Sequence, residues 1–141
     1  MSGMGLAVAA GQLVGVQFRL HGRTPESGLD CIGVLAAALQ RIGRAVAFPS
    51  GYLLRTEQFS SLDAIAVSHG FVRAAGAILP GDVIFVRPGP SQMHLLIAAA
   101  QIDCFVEAHA GLGRVVCRPG PIASPILDRW RLPVQPIAQD K

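Results

Sequence analysis

The chain has 141 residues, of which 51% are hydrophobic and only 15% are charged, so it is a folded domain with a core and not a disordered segment. The formal net charge is +3, and all but one of the 12 basic residues are arginines scattered along the chain. With one Trp and one Tyr, the sequence lacks the clustered basic patch and stacking aromatics of nucleic-acid binding, and no stretch reaches the about 20 apolar residues of a membrane-spanning helix.

One domain over residues 1–134, followed by a short tail at 135–141, is the simplest organisation of this sequence. The apolar stretch at 5–16 has some character of a signal peptide, but no Lys or Arg precedes it and Gly and Gln residues interrupt it. We therefore expect a packing helix over 4–14, in a protein made in the cytoplasm without an export signal of its own.

The rest of the first half shows helical periodicity separated by loops. A loop rich in polar and turn residues spans 16–28 and contains His21. Apolar residues then recur at three- and four-residue steps, which predicts a helix that begins at Cys31 and stops near residue 43. A further amphipathic helix is predicted from Ser60, which is placed to cap it.

The second half changes to the two-residue period of strands. Strands are predicted at four places after a turn at 79–82, namely 83–86, 93–99, 104–109 and 114–118. The closing segment at 125–133 is predicted to pack over the sheet as a last strand or a short helix. Helices first and a strand meander second indicate an α+β domain, with the helices packed on an antiparallel sheet.

Cys31 is the candidate nucleophile. At the first turn of a helix, the unpaired backbone N–H groups and the positive end of the helix dipole favour a thiolate over a thiol. A lone Cys in a helix rich in Ala and Leu can equally be a small buried hydrophobe, so the hypothesis depends on a base elsewhere. The three cysteines fit neither a disulfide framework nor a paired zinc motif, and we expect free thiols.

His94 is the candidate base, because it is a polar residue that opens an apolar strand directly after a loop of Gly and Pro residues. A hydrogen-bonded histidine at a strand edge would give the same pattern, but a strand-end His facing a helix-start Cys is also the usual pair in cysteine hydrolases. On the next predicted strand, the two-residue period puts Glu107 and His109 on one face. Either could accept a hydrogen bond from the imidazole and orient it.

Four stretches occur in the order and at roughly the spacings of a known set of motifs. They are 15–22 with 28–33 around Cys31, 79–85, 94–97 and 105–108. Together they resemble the motifs of the NlpC-type papain-like cysteine peptidases, which cleave cell-wall peptidoglycan. The His-Gly-Arg-Thr-Pro segment before the cysteine and the Ile after it look most like the compact, single-domain peptidases of phage and phage-like gene clusters.

The resemblance implies a papain-like fold in which Cys31 is the nucleophile and His94 is the base. It implies hydrolysis of peptidoglycan stem peptides, most commonly between γ-D-glutamate and a diamino acid, with no metal or organic cofactor. The family usually has His where Glu107 aligns. A carboxylate can orient an imidazole at least as well as a second imidazole, so Glu107 is our first choice for the third catalytic residue, and His109, two residues later on the same face, is the alternative.

Three further residues are predicted to lie in the substrate-binding or oxyanion region: Phe18, His21 and Asp30. Phe18 replaces the Tyr that is usual in the family, so the resemblance implies the loss of one hydroxyl contact near the nucleophile. The backbone N–H of Cys31 is still available for that role.

Two other hypotheses stay open. The departures at Phe18 and Glu107 would also fit a tail or baseplate component of a phage-like particle that keeps the fold without the activity, and the same scaffold could serve an amidase or acyltransferase. The partners expected are a peptidoglycan stem peptide and phage tail or phage-like particle proteins. The site of action expected is the cell wall or periplasm, reached through a partner or such a particle.

Overall fold

The computed structural model describes residues 3–44, 46, 59–90 and 92–133, with only the backbone of 59–62. The predicted tail at 135–141 and the side chain of Ser60 lie outside the described residues. The backbone of Ser60 is already inside the helix that it was predicted to cap, which includes Phe59, so that prediction was wrong. The extent of the single domain therefore stays a prediction. In the part of the chain that is described, no helix is long and apolar enough to cross a membrane.

Short helices alternate with loops in the first half, and strands follow one another in the second. In chain order the described elements are α1 (Gly3–Gly11), β1 (Arg23–Thr24), β2 (Gly28–Leu29), α2 (Cys31–Arg41), α3 (Phe59–Ser68), β3 (Val72–Arg73), β4 (Val83–Val86), β5 (His94–Ala98), β6 (Cys104–His109), β7 (Arg114–Pro119) and β8 (Ile126–Arg131).

The strands form a six-stranded sheet in the order β3-β8-β4-β5-β6-β7, beside a small hairpin of β1 and β2. Every pair of neighbours in the large sheet is antiparallel. The α+β prediction with an antiparallel sheet is confirmed. Each of the four predicted strands is found within one residue of its predicted ends.

The sheet has a different apolar cluster on each face, because successive side chains of a strand point to opposite sides. Leu95 and Ile97 of β5 belong to the main core, together with buried residues of α1 and α2. Leu96 and Ala98 belong to a second, smaller cluster that includes Phe105 of β6. The two helices therefore cover one face only.

The first helix is shorter than predicted. α1 ends at Gly11 rather than at residue 14, and the Leu13 amide then donates to a carbonyl only three residues back. The N–H of Gly15 donates to the carbonyl of Val115, so the chain leaves the helix to join the edge of β7. Tertiary pairing here overrides the local helical pattern.

The closing segment is a strand, but the expectation that it packs over the sheet was wrong. β8 lies within the sheet between β3 and β4, with Trp130 opposite Val83 and Asp128 opposite Phe85. Strands β1, β2 and β3 were not predicted, since two-residue strands show no periodicity that a sequence pattern could reveal.

Candidate active site

The start of α2 is held by Asp30, the residue before Cys31. Asp30 is the N-cap, and its Oδ1 accepts a hydrogen bond from the Gly33 amide at 2.8 Å. Its Oδ2 accepts from the backbone N–H of His21 at 2.9 Å, and the Arg23 Nη1 donates to Oδ1 at 2.8 Å. This buried carboxylate therefore fixes the helix terminus on which the thiol stands.

Cys31 is the first residue of α2 and is buried. Because the amides of a helix's first turn have no carbonyl partner within the helix, the Cys31 N–H is placed as an oxyanion donor would be. The helix approaches the preceding loop closely at Gly33, where a Cβ would overlap the carbonyl oxygen of Gly22. Only glycine fits that position without a backbone shift.

His94 and Glu107 come from neighbouring strands and are in direct contact. His94 opens β5, and its Nε2–H donates to Oε1 of Glu107 at 2.9 Å. The Glu107 side chain is only 7% exposed. Since His94 also has a hydrogen-bonding interaction with the Cys31 side chain, its Nδ1 is the nitrogen left to face the thiol.

His94 and Glu107 each stabilise the charged form of the other. Burial by itself lowers the pKa of His94, but the hydrogen bonds and charges of Cys31 and Glu107 outweigh it and raise the pKa of His94 to about 10. Burial alone would raise the pKa of Glu107, but the hydrogen bonds and charges of His94 and Arg118 lower that pKa below its ordinary value. The imidazolium and the carboxylate are therefore both charged at neutral pH.

His109, the alternative to Glu107, has no described hydrogen bond with His94. Its Nδ1 accepts a hydrogen bond from the Leu112 amide at 3.0 Å, within the turn that joins β6 to β7. The ring still lines the same cavity as Cys31. Of the two candidates, Glu107 is the residue that the structure brings into contact with the imidazole.

Phe18 and His21 line the cavity beside Cys31 without a described side-chain hydrogen bond. Phe18 packs partly against the main core, and its ring offers no hydroxyl to the site. His21 has a positive φ of 63°, and its backbone rather than its ring meets Asp30. The two residues shape the entrance to the thiol.

The cavity has a volume of about 520 Å³, and its lining includes Cys31, His94 and Glu107. The other lining residues come mainly from the loop before α2, the loop before β5 and the turn after β6. Across the described ranges of the chain, no group of three or more His, Cys, Asp or Glu residues could hold a metal ion. The arrangement is suited to nucleophilic chemistry by a thiol with an adjacent imidazole.

Sequence reasoning missed Arg118, whose Nε–H donates to Oε2 of Glu107 at 2.7 Å. The signal was present in the predicted hairpin. If His109 pairs with Arg114 across the short loop, Arg118 falls opposite Phe105, and this is the observed register. Arg118 then lies diagonally beside Glu107 on the same face.

Comparison by sequence alone finds no matching protein-family model and no curated protein that matches the chain. Comparison by structure shows that the fold is that of the NlpC/p60 domains, so the predicted NlpC-type fold is confirmed. The phage-associated subtype stays a prediction.

Three solved structures illustrate the likeness. NlpC1 from Trichomonas vaginalis matches with a TM-score of 0.67 and 20% identity over 91% of this chain, which spans only 44% of that protein. The NlpC/p60 domain of the peptidoglycan hydrolase SagA matches with a TM-score of 0.58 and 21% identity, over 95% of this chain and 100% of that domain. The peptidoglycan hydrolase RipB from Mycobacterium tuberculosis gives 0.56 and 24%, over 92% and 63%.

Proposed function

We propose that this chain is a cysteine peptidase that hydrolyses peptide bonds in peptidoglycan stem peptides. The observation that carries the proposal is the series of three side chains in which Cys31, at a helix N-terminus, meets His94, and His94 is held by the buried carboxylate of Glu107. Two of the structural neighbours, SagA and RipB, are peptidoglycan hydrolases, which supports the choice of substrate.

In the acylation step the thiolate of Cys31 attacks the carbonyl carbon of the scissile amide. The imidazolium of His94, held in orientation by Glu107, supplies its proton to the leaving amine as the C–N bond breaks. The oxygen of the tetrahedral intermediate accepts a hydrogen bond from the backbone N–H of Cys31. The products of this step are a free amine and a thioester on Cys31.

In the deacylation step neutral His94 takes a proton from water, and the resulting hydroxide attacks the thioester carbonyl. The C–S bond breaks, the acyl group leaves as a carboxylic acid, and Cys31 returns as the thiolate beside the imidazolium. Every proton in this cycle is carried by His94, and no other reactant than water is consumed.

The bond we propose is the one between γ-D-glutamate and a diamino acid. Substrate carboxylates would then need a donor near the cavity, and by charge alone scattered arginines such as Arg19, Arg23 and Arg55 could supply it. Arg23 is paired with Asp30, Arg19 is exposed outside the described lining of the cavity, and Arg55 lies outside the described residues. His21, Gln92 and His109 are lining side chains that could donate to a carboxylate.

The test is digestion of purified peptidoglycan of the diaminopimelate type by the wild type and by Cys31→Ala, with the released fragments identified by mass spectrometry. We expect the wild type to release fragments that end at the cleaved bond and the variant to release none. Cys117→Ala is the matched control, because Cys117 is an exposed thiol on β7 outside the described lining of the cavity.

The same experiment separates the proposal from its two alternatives. Intact peptidoglycan with a folded wild type, together with a Cys31 that alkylates no faster than a model thiol, would favour a structural component of a phage-like particle. Unchanged peptidoglycan with a fast-reacting Cys31 would favour an amidase or acyltransferase that acts on another substrate.

A further inference from the structure

Arg118 lies on the side of Glu107 away from His94 and extends the series of polar contacts that begins at Cys31. Its Nε–H bonds to Oε2 of the carboxylate, while the His94 Nε2–H bonds to Oε1. We propose that Arg118 is a positioning residue that keeps Glu107 ionised and in one orientation, and through it keeps His94 directed at Cys31. The inference rests on the proposed function for the reaction that it serves.

A buried carboxylate needs a partner for each oxygen. The Glu107 side chain is only 7% exposed, so an oxygen without a donor would lose its hydration without replacement. Arg118 supplies the second donor and a compensating charge, and it is one of the two residues whose contacts lower the pKa of Glu107. A guanidinium suits this role because it stays charged over the whole working pH range.

The strand pairing fixes where Arg118 points. Arg118 is opposite Phe105 and Val116 is opposite Glu107 in the ladder of β6 and β7, so the arginine reaches the carboxylate diagonally on one face of the sheet. The contact therefore depends on the register of a hairpin and not on a mobile loop.

A second cavity of about 470 Å³ lies on this side of the pair and is lined by His94, Glu107 and Arg118 together with apolar residues such as Phe105 and Ile122. The His94–Glu107 pair thus separates it from the cavity that contains Cys31. Arg118 covers the carboxylate from this second cavity. A neutral, shorter side chain would remove the charge and the Nε–H donor at Oε2 and let the carboxylate rotate away from the imidazole.

The test compares Arg118→Gln, Arg118→Lys and the wild type by the rate at which iodoacetamide alkylates Cys31 across the pH range, with the modified cysteine identified by peptide mass spectrometry. Arg114→Gln is the matched control, because Arg114 is an exposed arginine on the same strand and the same face, with no contact to Glu107. This readout needs no peptidoglycan, so it is independent of whether the proposed substrate is correct.

Between neutral pH and about pH 5, we expect the alkylation rate of Cys31 in Arg118→Gln to fall about fivefold more than it falls in the wild type. The reason is that Glu107 takes up a proton more readily without the guanidinium. Arg118→Lys should restore most of the wild-type profile, and Arg114→Gln should match the wild type. A loss that is equal at every pH, or one that lysine does not rescue, would show a merely structural arginine and overturn the inference. An unchanged Arg118→Gln profile would overturn it as well.

Discussion

At the scale of single residues, the site depends on how burial and charge act on His94 and Glu107. Burial by itself opposes the charge of each group, lowering the pKa of His94 and raising the pKa of Glu107. The contact of Cys31 with His94, the 2.9 Å contact between His94 and Glu107, and the contact of Arg118 with Glu107 together reverse both effects. A carboxylate is therefore well suited to the place where the NlpC-type family usually has a second histidine.

Glu107→Gln keeps the size of the side chain but removes its charge. The change removes one of the two interactions that raise the pKa of His94, so this pKa should fall, and the alkaline limb of kcat/KM should move to lower pH by about one unit or more. The sign follows because His94 must carry a proton for the leaving amine. The pH profile of hydrolysis measures the limb, and NMR titration of isotopically labelled histidine measures the pKa of His94 itself.

His109→Gln is the comparison for that experiment, because His109 lines the same cavity but bonds to the Leu112 amide. For His109→Gln, the alkaline limb of kcat/KM should stay at the wild-type pH. If instead His109→Gln moves the limb and Glu107→Gln does not, the assignment of the orienting residue to Glu107 is wrong.

At the scale of elements, sequence patterns identified what is local and missed what depends on distant partners. The helix that begins at Cys31 is set by an adjacent cap and a regular apolar stripe, and the prediction of its start is correct. β6 was placed at its observed ends because turn residues flank it. β8 could not be placed within the sheet, since its partner β4 lies about 40 residues earlier and nothing local encodes that pairing.

The site could be predicted in part for the same reason. The two-residue period of a strand identified Glu107 and His109 as possible partners of His94. It could not decide between them, because both lie on one face of β6. What distinguishes the two residues is the turn after β6, where the Leu112 amide binds the ring of His109. Arg118 was missed because its diagonal contact with Glu107 appears only when the register of the predicted hairpin is worked out residue by residue.

Gly33→Ala tests how tightly the start of α2 packs against the preceding loop. Replacing glycine by alanine inside a helix ordinarily stabilises by about 1 kcal/mol, but here the new Cβ would overlap the carbonyl oxygen of Gly22. We expect the variant to be destabilised, with the loss measured by chemical denaturation. Gly11→Ala is the matched control, because no atom lies within 4 Å of the added Cβ, and it should be neutral or stabilising.

The sign of the difference between these two variants is the result that matters. Equal stabilisation of both would mean that the loop carrying Gly22 gives way easily, and the account of a rigidly held helix terminus would then be wrong.

At the scale of the whole molecule, the last strand is tied into the sheet by a buried charge. Asp82, fully buried before β4, accepts from the Nε and Nη2 of Arg131 at 2.8 and 2.9 Å and from the Leu79 amide at 3.0 Å. These bonds join the turn at 79–82 to the end of β8. The strand that carries Trp130 into the main core is therefore fixed by an ion pair as well as by its ladder.

Arg131→Met should destabilise the domain by about 2 kcal/mol or more, because it removes both hydrogen-bonded guanidinium contacts of a buried carboxylate and leaves only the more distant Arg129 Nη1, at 3.9 Å. The measurement is the free energy of unfolding in urea. Arg87→Met, an exposed arginine after β4, is the matched control and should change that free energy by less than about 0.5 kcal/mol. An equal effect of the two variants would contradict the role given to the Asp82–Arg131 pair.

The central claim is that Cys31 forms a covalent acyl-enzyme with a stem peptide, and rapid acid quenching followed by intact-protein mass spectrometry tests it most directly. With a synthetic γ-D-glutamyl–diaminopimelate peptide, we predict an adduct with the mass of the acyl part, located on the peptide that contains Cys31 and absent in Cys31→Ala. Release of the amine product by Cys31→Ala at the wild-type rate would contradict the account. So would the absence of both adduct and amine product from the wild type between about pH 5 and pH 10.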